Sequence, residues 1–124
     1  MTDSHFNKKV AYMELPDFDE TTGKFKVNEK LVIMCMSSWC GACKMTKPAF
    51  AKVADKLKQH KIRAACIMFD GDDDEKKLGG LVAKAHKIQA FPTFLRIDAS
   101  GMVKGKPHVG GSSDSDELFE KLKF

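Results

Sequence analysis

Residues 31–36 (LVIMCM) form an unbroken apolar run. Within a few positions of its end the pattern changes to apolar residues at three- and four-residue steps: Ala42, Met45, Ala49, Phe50, Val53, Ala54 and Leu57. A stretch with no polar face suits a strand covered on both sides. The stepped pattern belongs to a helix, predicted from about residue 41 to residue 59. Pro48 falls inside it and should kink it, because proline supplies no N–H and crowds the preceding turn. A buried strand that runs straight into an amphipathic helix restricts the chain to folds in which helices cover a sheet.

The rest of the sequence fits that class. Residues 10–15 read as a first strand ended by Pro16, and residues 17–30, with a turn signal at Thr21, Thr22 and Gly23, as a loop or short hairpin. Residues 62–69 make a second core strand. Leu78, Leu81, Val82 and Ala85 mark a helix from about residue 74 to residue 86, whose acidic start suits the positive end of the helix dipole. Residues 93–97 and 102–104 read as a hairpin turning at Ala99, Ser100 and Gly101. After a break at Gly110 and Gly111, Leu118, Phe119 and Leu122 stripe a last helix capped by Ser113 or Asp114. This order predicts an α/β sandwich, its sheet parallel at first and closed by an antiparallel hairpin.

A length of 124 residues suits one domain, residues 1–124, with residues 1–9 expected as a flexible N-terminus. That N-terminus has no apolar stretch of signal-peptide type. The longest apolar run is far too short to span a bilayer, so no membrane partner is expected. Four cysteines, with one close pair, are too few for a disulfide scaffold. The expected setting is cytoplasmic, among reduced thiols, where a close pair is catalytic or metal-binding. The net charge of +4 is dispersed, with Lys104 and Lys106 the nearest approach to a patch, so no nucleic-acid partner is expected. His5, His60, His86 and His108 are scattered and complete no metal site with the cysteine pair.

The close pair is Cys40 and Cys43, with Trp39 before it and Gly41 and Ala42 within it. Cys40 falls where strand gives way to helix. There, unpaired amides and the dipole favour thiolate over thiol, and only the thiolate is a nucleophile. Cys43 lies almost a turn further in and should be more shielded. The implied cycle has Cys40 attack a substrate disulfide and Cys43 resolve the mixed disulfide, leaving a Cys40–Cys43 disulfide. Taken alone, such a pair also suits half of a zinc site.

The run Ser38–Trp39–Cys40–Gly41–Ala42–Cys43–Lys44–Met45, followed by Pro48, resembles the active-site strand and helix of thioredoxins and protein disulfide isomerase domains. Ile88–Gln89–Ala90–Phe91–Pro92–Thr93 is similar to the family's cis-proline loop. The resemblance runs from about residue 28 to the end. It implies the thioredoxin fold, a central mixed β-sheet sandwiched by helices, with Pro92 cis and the Phe91 backbone pairing with an extended substrate. Trp39, Gly41, Ala42 and Gly110 would complete the substrate groove, with Trp39 as a lid over the dithiol. The implied partners are protein disulfides as substrates and a thioredoxin-reductase-type flavoenzyme using NADPH as electron donor. A monomer is expected, with no bound cofactor beyond the redox-active Cys40–Cys43 disulfide.

Two departures bear on mechanism. The family usually carries a buried aspartate six residues before the first active-site cysteine, and here that position is Met34. Aligning Asp70 with the acidic residue that ends the next strand puts Cys66 where a lysine commonly faces that aspartate. Such a swap can be plain apolar repacking. It also leaves Cys43 without its usual base, so resolution of the mixed disulfide is expected to be slower near neutral pH. Ala42 stands where thioredoxins often have proline, which keeps isomerase or oxidase chemistry open beside reduction. Lys44 is a candidate for electrostatic support of Cys40. Asp70 either accepts a hydrogen bond from the Trp39 indole or is a solvated strand end. Cys35 and Cys66 read as core residues, with a second regulatory disulfide as the alternative. A thioredoxin-fold adaptor or chaperone, binding through Trp39 and Phe91, is the non-enzymatic alternative.

Overall fold

The structure is a computed structural model and describes residue 6 and residues 9–124. Most of the expected flexible segment, residues 1–9, therefore lies outside the described residues. Within it, Phe6 is buried against Phe50 and Tyr12, and the Lys9 ammonium reaches Asp55 at 2.8 Å.

Among the described residues, seven strands and three helices follow one another. β1 is Ala11–Tyr12, β2 Phe18–Asp19, β3 Lys24–Phe25 and β4 Lys30–Met36. Then come α1 (Gly41–Gln59), β5 (Ile62–Met68), α2 (Asp73–His86), β6 (Thr93–Ile97), β7 (His108–Val109) and α3 (Ser115–Leu122). The main sheet has the order β1-β5-β4-β6-β7. β4 pairs with β5 in parallel and with β6 in antiparallel fashion, so the apolar run sits at the centre of the sheet.

The alternation of side chains along a strand divides the core in two. Val32, Met34 and Met36 face α1 and α3, in one cluster with Cys43, Phe50, Cys66 and Phe94. Leu31, Ile33 and Cys35 face the other way, toward Leu78 and Val82 of α2. Both faces of β4 are covered, which is why its sequence has no polar period. Cys35 and Cys66 consequently lie on opposite faces of the sheet, which rules out a disulfide between them without backbone movement.

Three expectations are adjusted. The first strand shrinks to Ala11–Tyr12, because Pro16 sits in a 3₁₀ turn at Leu15–Asp17. Residues 17–30 hold the antiparallel pair β2 and β3. The arm at residues 102–104 is reduced to one bridge, Ile97 to Val103, before the chain loops out and returns as β7. Gly105 takes a left-handed turn (φ 71°) and Pro107 lacks an amide hydrogen, so the ladder is interrupted between the two pieces. Gly101, at φ 89°, lies so close to the Phe25 carbonyl that a Cβ there would collide with it. The Phe25 amide donates to the Gly101 carbonyl at 2.9 Å, docking the small hairpin on the main sheet. α1 continues through Pro48.

Candidate active site

β4 ends at Met36 and α1 begins at Gly41, which leaves four residues to turn the chain. Ser38 fixes that turn. Its amide donates to Asp70 at 2.9 Å and its hydroxyl donates to the same carboxylate, tying the loop to the end of β5. The Ser38 hydroxyl, ahead of the other contacts, holds the Asp70 carboxyl below its ordinary value. Of the two readings of Asp70, as partner of the Trp39 indole or as a solvated strand end, neither describes the carboxylate, which takes two hydrogen bonds from Ser38. Trp39 is 71% exposed, with its ring edge-on to Phe91 at 5.8 Å. Phe91 leans in turn on Phe69 at 4.9 Å, so Trp39 is the outer member of an aromatic row.

Cys40 is the N-cap of α1. Its Sγ accepts from the Cys43 amide at 3.2 Å, doing with sulfur what a serine or aspartate oxygen does at an ordinary cap. The thiol also donates to the Phe91 carbonyl at 3.4 Å. The Phe91–Pro92 peptide bond is cis, and Pro92 is buried beside the dithiol loop. The Gly110 amide donates to the Pro92 carbonyl at 3.0 Å. One residue on, Gly111 lies so close to Thr46 that any side chain there would collide with the threonine hydroxyl. That hydroxyl donates to the Ala42 carbonyl at 2.7 Å and accepts from the Ser112 amide at 3.1 Å. The first turn of α1, the cis-proline loop and the Gly110–Gly111 segment are in this way bonded into one surface.

The two thiols differ sharply. Cys40 is 7% exposed, whereas Cys43 is fully buried. Burial, followed by the hydrogen bond its thiol gives to Cys40, pushes Cys43 up to about 12, against the opposing pull of the Ser37 backbone and the Lys47 charge. Cys35 is fully buried, and that burial raises its thiol as well. Met34 and Cys66 are register partners on β4 and β5, both buried in the cluster that holds Cys43. Lys44 is exposed on the helix surface. Among the described residues no group of three or more His, Cys, Asp or Glu side chains is placed to hold a metal ion.

Sequence reasoning missed three contributors: Ser38, Thr46 and Lys47. The spacing of the last two from Cys43, three and four residues along a helix, was the available signal. Lys47 is only 7% exposed, beside the very residue whose ionisation matters.

Comparison with known proteins agrees with this arrangement. The family model described as Thioredoxin matches residues 6–123. Thioredoxin H2-2 of Oryza sativa subsp. japonica is 31% identical over 122 residues, covering 95% of this chain and 80% of that protein. A protein disulfide-isomerase of Ricinus communis is 27% identical over 114 residues, covering 92% of this chain. The chain spans only 21% of that isomerase's length. Mitochondrial thioredoxin 3 from Saccharomyces cerevisiae, in its oxidised form, superposes with a TM-score of 0.64 at 26% identity, covering 95% of this chain and 96% of that one. Dithiol, cis-proline loop, sheet order and family match converge: the chain belongs to the thioredoxin family.

Proposed function

We propose that this protein is a thiol–disulfide oxidoreductase that reduces protein disulfides through Cys40 and Cys43, with residues 1–124 acting as one domain and as a monomer. The observation that carries the reading is the position of Cys40. It caps α1, meets the Cys43 amide, and lies 3.4 Å from the Phe91 carbonyl next to a cis-proline. A substrate strand laid along Phe91 would bring its disulfide to the sulfur nearest the surface. Cys40 attacks one substrate sulfur, and the other leaves as a thiolate. Cys43 then attacks Cys40, and the second substrate thiolate departs. Trp39, Gly41, Ala42 and Gly110 border the groove; Met34, Lys44, Cys66 and Asp70 act as modulators around it.

A dithiol that donates electrons has to be re-reduced, and a thioredoxin-reductase-type flavoenzyme using NADPH fits that role. The reading places the protein in the cytoplasm, where thiols are kept reduced. Among the described residues no helix is long and apolar enough to cross a membrane. Isomerase chemistry is the second reading, favoured by Ala42 within the motif and by the isomerase relatives. Reduction of insulin by dithiothreitol, wild type beside Cys40→Ser, tests the first: acceleration by the wild type alone supports it, and equal rates refute it. Equilibration with glutathione separates the two readings, because a reductase dithiol stays oxidised in buffers where an isomerase dithiol is reduced.

A further inference from the structure

The end of α1 remote from Cys40 opens onto a second concave surface. α1 has 19 residues, so at about 1.5 Å per residue this end lies about 28 Å from the dithiol. The cleft there has a volume of about 480 Å³. Its floor is apolar and made of Ala54, Ile62 and Ala64, all buried. Its walls are charged, with Lys9, Lys58, Lys61 and Arg63 set against Asp55 and Glu29. Both carboxylates are already taken. Asp55 meets the Lys9 ammonium at 2.8 Å, and Glu29 meets the Arg63 guanidinium at 3.2 Å. Lys58 and Lys61 have no ion-pair partner among the described residues. Two positive charges on the cleft are thus left uncompensated.

The helix dipole accounts for only part of this arrangement. A cation in the last turn of a helix suits its negative end, which explains Lys58. Lys61 lies beyond the helix, where the chain reverses through a left-handed residue (φ 59°) whose amide donates to the Lys58 carbonyl at 3.0 Å. Lys9 and Arg63 come from the segment before β1 and from β5. Cations from separate stretches of the chain therefore meet on one cleft. The two unpaired ammoniums repel each other, and a doubly charged anion between them reverses the sign of that interaction.

We propose that this cleft binds a small organic phosphate monoester, its phosphate held by Lys58 and Lys61 and its carbon frame on the floor of Ala54, Ile62 and Ala64. Two free ammoniums match the two charges of a phosphate monoester above its second ionisation, near about pH 6. The volume falls within the range of small-molecule sites, about 300–1,000 Å³, and exceeds what a lone phosphate fills. The apolar floor gains from covering carbon and offers nothing to a free inorganic ion. Lys9 and Arg63 keep N–H donors beyond those given to their carboxylate partners, and these are available to the remaining phosphate oxygens. Binding here is independent of the dithiol reading, since the ligand sits at the other end of α1 and involves no cysteine.

Phenyl phosphate, inorganic phosphate and phenol, titrated separately into isotope-labelled protein at low salt and about pH 8, give the test by amide NMR. Phenyl phosphate should shift the amides of residues 58–64 and saturate, and phenol should not. Inorganic phosphate should act on the same residues several-fold more weakly. Lys58→Gln and Lys61→Gln should each weaken phenyl phosphate about fivefold, the upper end for an ion pair open to solvent. Lys106→Gln, outside the cleft, should bind as the wild type does. The variant spectra should otherwise overlay the wild type, which shows the fold intact. No saturable shift at residues 58–64, or Lys58 and Lys61 variants that bind like the wild type, overturns the inference. Shifts spread over lysines across the whole surface overturn it too, because they report unspecific ion pairing. Equal affinity for phenyl phosphate and inorganic phosphate overturns the assignment of an organic ester.

Discussion

α1 and α2 both start just after a core strand, yet they satisfy their first amides with different chemistry. α2 is capped by Asp72, which accepts from the Glu75 amide at 2.8 Å while Glu75 returns a bond to the Asp72 amide. Asp73, Asp74 and Glu75 fill its first turn with negative charge. α1 has no acidic residue in its first turn, and its cap is the Cys40 sulfur. The positive end of a helix stabilises whatever anion is placed there. In α2 that capacity is consumed by carboxylates that hold the structure together. In α1 it is left to a thiol that must gain and lose charge during a reaction. The structure thus contains a helix start built for stability and, one strand away, a helix start built for exchange.

The sharpest way to break this comparison is Cys40→Ser. Serine is a good N-cap, so thermal stability should change little, by less than about 1 kcal/mol. Insulin reduction should fall to the rate of dithiothreitol alone, because the attacking thiolate is gone. A large loss of stability in urea unfolding would mean that the sulfur is mainly structural.

The second effect comes from Cys43. Burial raises its folded-state value to about 12 from an ordinary 9.0, so the reduced folded protein keeps a proton that the unfolded chain loses. Stability from this group is complete below pH 9 and is lost as pH rises toward 12. Reduced protein should therefore lose up to about 1.4 kcal/mol per pH unit in that window from this thiol. Oxidised protein, with Cys43 in a disulfide, lacks this contribution. Parallel thermal melts of the two forms from pH 8 upward check it; identical slopes would contradict the raised value.

Asp72→Ala tests the other helix. It should lower stability by about 1 kcal/mol and leave insulin reduction unchanged, the reverse of the Cys40→Ser pattern. Smallest is Ala42→Asp, which gives α1 the carboxylate that α2 has. It should add about 0.3–1 kcal/mol of helix stability and slow insulin reduction several-fold, because the added charge competes with the sulfur for the helix end. A faster enzyme would contradict the reading.

The strand-to-helix junction was legible because two strong patterns meet there, a run with no polar face and a helical period, and both elements lie where the pattern puts them. The cis-proline loop was legible through family resemblance, and the Phe91–Pro92 bond is cis. What escaped depends on tertiary placement. Asp70 reads either as a partner for Trp39, because both sit at one sheet edge, or as a solvated strand end, but the path of the loop brings Ser38 to it. Lys47, only 7% exposed, was not singled out, since a helical wheel does not reveal how far the core wraps around α1. The arm at residues 102–104 has a strand-like pattern, but Gly105 and Pro107 prevent it from continuing as one ladder. Local patterns fix elements; contacts between elements decide which polar residues serve the site.

Trapping tests the central claim most directly. Cys43→Ser, incubated with insulin and mapped by peptide mass spectrometry, should accumulate a covalent adduct through Cys40, while the wild type under the same conditions should yield free insulin thiols and a Cys40–Cys43 disulfide. An adduct at any other cysteine, or insulin reduced by the wild type without that disulfide, would contradict the account.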